Sequence, residues 1–114
     1  MDNQQMYEIA FQIIVHAGES RSLSSEAIDR AENYEFDEAE ELLGKANDEF
    51  LKCHQIQTDM LTSESNGQKN EINIMFIHAQ DHLTMATLAM ENAKRFIKLY
   101  KKMEGKNEKS NIAM

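Results

Sequence analysis

The chain has 114 residues, no proline, four glycines and 41% hydrophobic residues. That is a length for one domain, with too few turn formers for a sheet protein. Twelve basic residues against twenty acidic ones leave a net charge of −8, which argues against nucleic acid as the main partner because phosphate contacts need Lys and Arg. What remains is an all-α chain of long helices joined by a few short loops.

The first helix is expected from about Asn3 to Ala31, with apolar residues at Met6, Ile9, Ala10, Ile13, Ala17, Leu23, Ala27 and Ile28 at helical spacing. Gly18 interrupts it at a cost of ~1 kcal/mol against Ala. Asn33-Tyr34-Glu35 forms the first turn, with Asn33 suited to the left-handed position that ends a helix. The second helix opens with Asp37, Glu38, Glu40 and Glu41, acids that favour the positive end of the helix dipole. Its apolar stripe runs through Phe36, Ala39, Leu42, Leu43, Ala46, Phe50, Cys53, Ile56, Met60 and Leu61. Residues 63–69 are polar, contain Gly67 and reverse the chain. The third helix is expected from about Asn70 to Glu104, and residues 105–114 form a tail expected to fray. Helices of this size are about 45 Å long. The architecture is therefore three long antiparallel helices around a thin core, one domain over residues 1–104.

The third helix carries more apolar surface than two neighbours can cover. One stripe, Ile72, Phe76, Ala79, Leu83, Ala86, Met90, Ala93 and Ile97, suits the other two helices. A second seam remains, Ile74, Ile77, Asp81, Thr84 and Leu88, with the three-four alternation of helices that pack on copies of themselves. An oligomer built around the third helix follows. Asp81 sits mid-seam, where several copies of a carboxylate must share protons or bind a cation. A hard divalent metal with oxygen ligands is the plausible ion, and a solvated cavity with nothing bound is the bland alternative.

His78, Asp81 and His82 lie at i, i+3 and i+4 and share one arc of the helix. A lone His on an apolar face is more often a core or interface residue than a functional one. Two His, a Gln and an Asp within five residues of a greasy helix shift that balance, because buried polar groups destabilise unless they are paired. A neutral imidazole can take up a phosphoryl group and surrender it again, and apolar neighbours Ile74, Met75 and Met85 favour the neutral ring. Gln80 and His82, from the same or a neighbouring subunit, are placed to donate hydrogen bonds to phosphoryl oxygens.

Other candidates are weaker. His16 precedes Ala17-Gly18, where a small residue would permit close helix approach, and its structural reading outweighs a ligand role. Cys53 beside His54 imitates a nucleophile and base, but adjacent helix positions do not face each other, so Cys53 is read as a small buried hydrophobe. The eight methionines read as core filler, and the basic stretch near the C-terminus as a solvated face. No segment suits a membrane span, and the first residues lack a signal-peptide pattern, so a cytoplasmic location is expected.

The residues Ile9-Ala10-Phe11-Gln12-Ile13-Ile14-Val15-His16-Ala17-Gly18, followed by Arg21-Ser22, then Phe36-Asp37-Glu38-Ala39 and above all Ile77-His78-Ala79-Gln80-Asp81-His82-Leu83, carry a resemblance. The chain resembles the lactose/cellobiose-type (chitobiose-type) enzyme IIA components of the bacterial phosphoenolpyruvate-dependent sugar phosphotransferase system, over about residues 4 to 102. The resemblance implies a homotrimer of three-helix subunits and a phosphohistidine relay. The residue matching His78 would take the phosphoryl group from the histidine-containing phosphocarrier protein and pass it to a cysteine of the IIB component. The residue matching Asp81 would gather at the three-fold axis around a divalent metal, taken as magnesium. Two rivals stay open at this point: a metal-binding or hydrolytic bundle using His78, Asp81 and His82 on one ion, and a non-catalytic helical interaction module. The latter rests on a tetratricopeptide-like hairpin over residues 31–46 that has no second copy at the required period.

Overall fold

The computed structural model describes residues 2–70 and 72–113, and the side chains among them other than those of Asn3 and residues 107–113. Three helices run up, down and up: α1 over Asn3–Glu32, α2 over Phe36–Ser65 and α3 over Ile74–Ala113. They form a rod of 68 × 21 × 19 Å. No helix among the described residues is long and apolar enough to cross a membrane.

Local chemistry explains where each helix begins and ends. Asp2 accepts from the Gln5 backbone N–H at 2.9 Å, while its own N–H donates to Gln5 Oε1 at 3.0 Å. This reciprocal capping box satisfies two otherwise orphaned donors at the start of α1. The α1 end is a Schellman motif: Tyr34 N–H donates to the Ala31 carbonyl and Glu35 N–H to that of Arg30. The left-handed residue there is Tyr34, at φ 60°, not Asn33 as the sequence suggests. Asn33 instead caps with its side chain, Nδ2 donating to the Asp29 carbonyl at 3.2 Å. Gly67, at φ 94°, closes α2 in the same way, its N–H donating to Glu64 and that of Gln68 to Ser63.

The third helix begins at Ile74 rather than near Asn70, because Asn73 caps it. Asn73 Oδ1 accepts from the Phe76 backbone N–H at 2.8 Å, the geometry that Asn supplies at an N-cap. Its backbone stays helical to Ala113, past the predicted end at Glu104. That stretch holds the good helix formers Lys106, Glu108, Lys109 and Ala113 beside the weaker Gly105, Asn107, Ser110 and Asn111.

The core is built largely from alanine. Ala27, Ala31, Ala39, Leu43, Ala46, Met90, Ala93 and Ile97 form one buried cluster, and Ala10, Ile13, Ala17, Cys53, Ala79, Leu83 and Ala86 form the other. Small side chains let the helix axes approach closely, and Ser20 exploits that approach by donating to the Ala46 carbonyl at 2.8 Å, fully buried. Gly18 is not the source of the close approach, since a Cβ added there would meet nothing within 4 Å. The α3 stripe from Ala79 to Ile97 is buried as predicted. Phe76 is half-buried against the core, and Ile72 is 78% exposed because it precedes the cap and lies off the helix.

The opposite face of α3 is uncovered in the single chain. Ile74 is 85% exposed, Ile77 52% and Leu88 58%, with Asp81 and Thr84 exposed beside them. Thr84 donates its hydroxyl to the Gln80 carbonyl at 3.1 Å. That bond satisfies the hydroxyl within the helix, so Thr84 needs no polar partner across the seam.

Candidate functional site

Packing of Phe76, Ala79, Leu83 and Ala86 against the other helices fixes how α3 is rotated, and that rotation decides where the polar cluster points. His78 lies beside the first turn, at the edge of a hollow lined by Tyr7, Asn73, Ile74 and Met75. Its ring is exposed, so the apolar shielding predicted for it is absent in the single chain: Ile74 and Met75 border the ring without covering it. One turn on, His82 Nε2 lies 3.1 Å from His78 Nε2, and the two rings meet edge to face at 89° with centroids 4.5 Å apart.

His82 is half-buried, and its proton affinity is lowered by burial first, then by His78 and by Arg21 on α1, with Asp81 partly opposing. The ring is therefore held neutral. Its Nδ1 is buried with no hydrogen-bond partner among the described residues. An unpaired buried N–H is the rarer and costlier defect, so the favoured tautomer keeps Nδ1 as a bare lone pair and puts the proton on Nε2. In that tautomer His82 donates to His78, leaving the His78 Nε2 lone pair as the acceptor.

Asp81 and Gln80 point elsewhere. Asp81 is exposed on the seam and makes no ion pair among the described residues. Gln80 follows His78 by two positions, about 200° around a helix, and turns to the α2 side, where Gln57 Nε2 donates to its Oε1. The structure thus brings His78 and His82 together in one chain and does not bring Gln80 to them. Among the described residues no group of three or more His, Cys, Asp and Glu side chains could hold a metal within one chain. Asp81 nevertheless has the donor chemistry of a hard-cation ligand, an exposed carboxylate free of competing cations, and fits an ion shared between copies.

The remaining candidates are structural. His16 Nδ1–H donates to Glu49 Oε2 at 2.7 Å, tying α1 to α2. Cys53 is buried, donates its thiol to the Phe50 carbonyl at 3.1 Å, and is held protonated by that burial. His54 stacks on Phe50 instead. Of the methionines, Met6, Met60 and Met90 fill the core, whereas Met75 and Met85 border the exposed face of α3. In the basic stretch, Lys101 is engaged with Glu40 at 3.1 Å and with the face of Phe36.

Sequence reasoning assigned no role to Arg21, Tyr7 or Gln57. For the first two a signal exists: Tyr7, Ile14 and Arg21 recur every seven residues and so share one α1 face, which the fold sets against the His78 side of α3. Gln57 has no such signal, since its partner lies on another helix.

The model of the family described as the PTS system, lactose/cellobiose-specific IIA subunit, matches residues 8–101. The lichenan-specific phosphotransferase enzyme IIA component of Bacillus subtilis strain 168 is 40% identical over 101 residues, 89% of this chain and 92% of its own. Among solved structures, the PTS cellobiose-specific enzyme IIA of Bacillus anthracis superposes with a TM-score of 0.86 at 40% identity, covering 93% of this chain and 95% of that one. The IIA(Chitobiose)–HPr complex of the N,N'-diacetylchitobiose branch of the Escherichia coli phosphotransferase system matches with a TM-score of 0.72 at 25% identity, over 87% of this chain and 96% of that one. An all-α three-helix fold, a paired-histidine site on α3 and a match over most of the chain agree: this protein belongs to the lactose/cellobiose-specific IIA family, the phosphoryl-relay components of the sugar phosphotransferase system.

Proposed function

We propose that the chain accepts a phosphoryl group on His78 from the histidine-containing phosphocarrier protein and passes it to a cysteine of a IIB component, in the uptake of a lactose-, cellobiose- or other β-glucoside-type sugar. The observation that carries this reading is the exposed His78 ring with its Nε2 facing His82 Nε2 at 3.1 Å. The reacting nitrogen is accessible to a partner protein and its lone pair is already selected by a neutral neighbour. A bond forms from His78 Nε2 to phosphorus as the donor's own nitrogen–phosphorus bond breaks, the electron pair staying on the donor ring. The His82 Nε2–H then turns to a phosphoryl oxygen, where a fixed donor stabilises charge. Handing on to a IIB thiolate reverses these roles. The HPr complex of the Escherichia coli chitobiose relative supports that donor, and such partners support a cytoplasmic location.

The seam opposite the core supports a homotrimer. His78 and Gln80 flank that seam on its two sides, so copies packed around a rotation axis set the His78 flank of one against the Gln80 flank of the next. Gln80 then serves its neighbour's histidine. The Asp81 carboxylates converge at the axis and would hold a hard divalent cation, magnesium being the fitting one. The chemistry such an ion supplies is neutralisation of the gathered charge.

Incubation with phosphorylated phosphocarrier protein is the test. A mass gain of one phosphoryl group, lost in acid and kept in base, is expected; no gain, or an acid-stable one, overturns the reading.

A further inference from the structure

The α2–α3 interface is the thinnest of the three, and it carries a side-chain hydrogen bond between the two helices. Gln57 and Gln80 are both half-buried and line a cavity of about 160 Å³ with Met6, Met60 and Phe76. Gln57 Nε2 donates to Gln80 Oε1. A primary amide has one acceptor oxygen and one donor nitrogen at its tip. Engaging the oxygen decides which end of Gln80 remains for anything else.

We propose that Gln57 is a positioning residue for phosphoryl transfer: by occupying Gln80 Oε1 it leaves Gln80 presenting only N–H donors toward the seam. The inference rests on the reading that Gln80 serves the phosphohistidine site. A phosphoryl group is rich in acceptor oxygens and carries negative charge, so an amide presenting its oxygen would repel the group and one presenting Nε2 would bind it. Without Gln57 the amide is free to adopt both orientations, and part of its population faces the site with the wrong end. Hydrophobic contact alone does not explain the residue, since a Met or Leu would fill the same wall beside Met60 without needing a polar partner.

The test compares phosphoryl uptake from phosphorylated phosphocarrier protein in full-length variants. Gln57→Met removes the donor and is expected to slow uptake a few-fold. Gln57→Glu offers only acceptors, takes the Gln80 Nε2–H for itself and turns the oxygen outward, and is expected to slow uptake by about tenfold or more, short of the ~10²–10³ of deleting an oxyanion donor. Gln57→Lys restores a donor and recovers most of what Gln57→Met loses. The ratio of Gln57→Glu to parent rates rises as pH falls into the carboxylic acid range, where the introduced group can again donate; a purely structural role has no such profile.

Repeating each change in a Gln80→Ala background separates positioning from through-space charge, because the positioning effect vanishes there and a charge effect persists. If Gln57→Met fails to fold, the Glu and Lys variants carry the same comparison. Equal rates for Gln57→Glu and Gln57→Lys, or effects unchanged by Gln80→Ala, overturn the proposal. A parent-like rate for Gln80→Ala by itself overturns the reading on which the proposal rests.

Discussion

At the scale of single residues the chemistry concentrates on two imidazoles that differ in what surrounds them. His78 is exposed and gives up its lone pair; His82 is half-buried, held neutral, and donates. Their roles should separate in mutants. His78→Ala is expected to abolish phosphoryl uptake with helix content unchanged, read by intact mass and circular dichroism, since one exposed side chain on a long helix does not hold the fold. A normal mass gain in that variant moves the acceptor to another histidine. His82→Ala should still take up the group but slowly, by at most the ~2.7–4 kcal/mol of barrier that a lost donor costs. A parent-like rate in His82→Ala reduces that ring to packing.

The helices owe their limits to capping residues, and these are separately testable. Asn73 caps the start of α3 through the Phe76 N–H, one turn before His78. Asn73→Ala is expected to lower stability by about 0.5–2 kcal/mol, measured by urea denaturation, and to fray the turn that carries Asn73, Ile74 and Met75. A midpoint unchanged from the parent's would mean that tertiary packing, not the cap, fixes the helix start. Between α1 and α2 the tie is electrostatic. The Glu49 carboxyl is held below its ordinary 4.5 by hydrogen bonds from Lys52 and then His16, with burial opposing. A depressed folded value means that the unfolded chain binds the proton more readily, so this contribution is present above pH 4.5 and is lost as pH falls through the folded value. Glu49→Gln should therefore show a flatter loss of stability than the parent in thermal melts taken across that window. Parallel curves would rule the tie out as a source of acid sensitivity.

For the molecule as a whole, the deciding feature is a thin rod with an apolar face left over. Chains near this size bury a limited fraction of their surface alone, and the α3 seam leaves Ile74, Ile77 and Leu88 more than half exposed. A row of large apolar side chains marks an interaction surface, and its heptad spacing fits copies of itself. Sedimentation at tens of micromolar is expected to give a trimer that chelator loosens at neutral pH, because Asp81 carboxylates then meet without a cation. Asp81→Leu removes the repulsion, extends the seam and should hold the trimer with or without chelator, as apolar replacement of buried charge is often neutral or stabilising. A monomeric parent refutes the seam, and a chelator-insensitive parent trimer refutes the shared ion.

Periodicity and local polarity were enough to determine three helices, the buried stripe of α3 and the second apolar seam, because a helix repeats every 3.6 residues and its two faces are written along the chain. The histidine pair was legible for the same reason: positions i and i+4 meet on any helix. Tertiary structure decided what depends on a second helix or on a single cap. The sequence placed the left-handed residue at Asn33 rather than Tyr34, because a Schellman turn tolerates Tyr when the following helix packs it against Phe36, 6.0 Å between ring centroids. It began α3 too early, because several Asn residues compete as caps and only the geometry at Asn73 selects one. The separation of Gln80 from His78 follows from helix pitch, but its engagement by Gln57 joins residues 23 positions apart, and no local pattern encodes a contact between side chains on different helices.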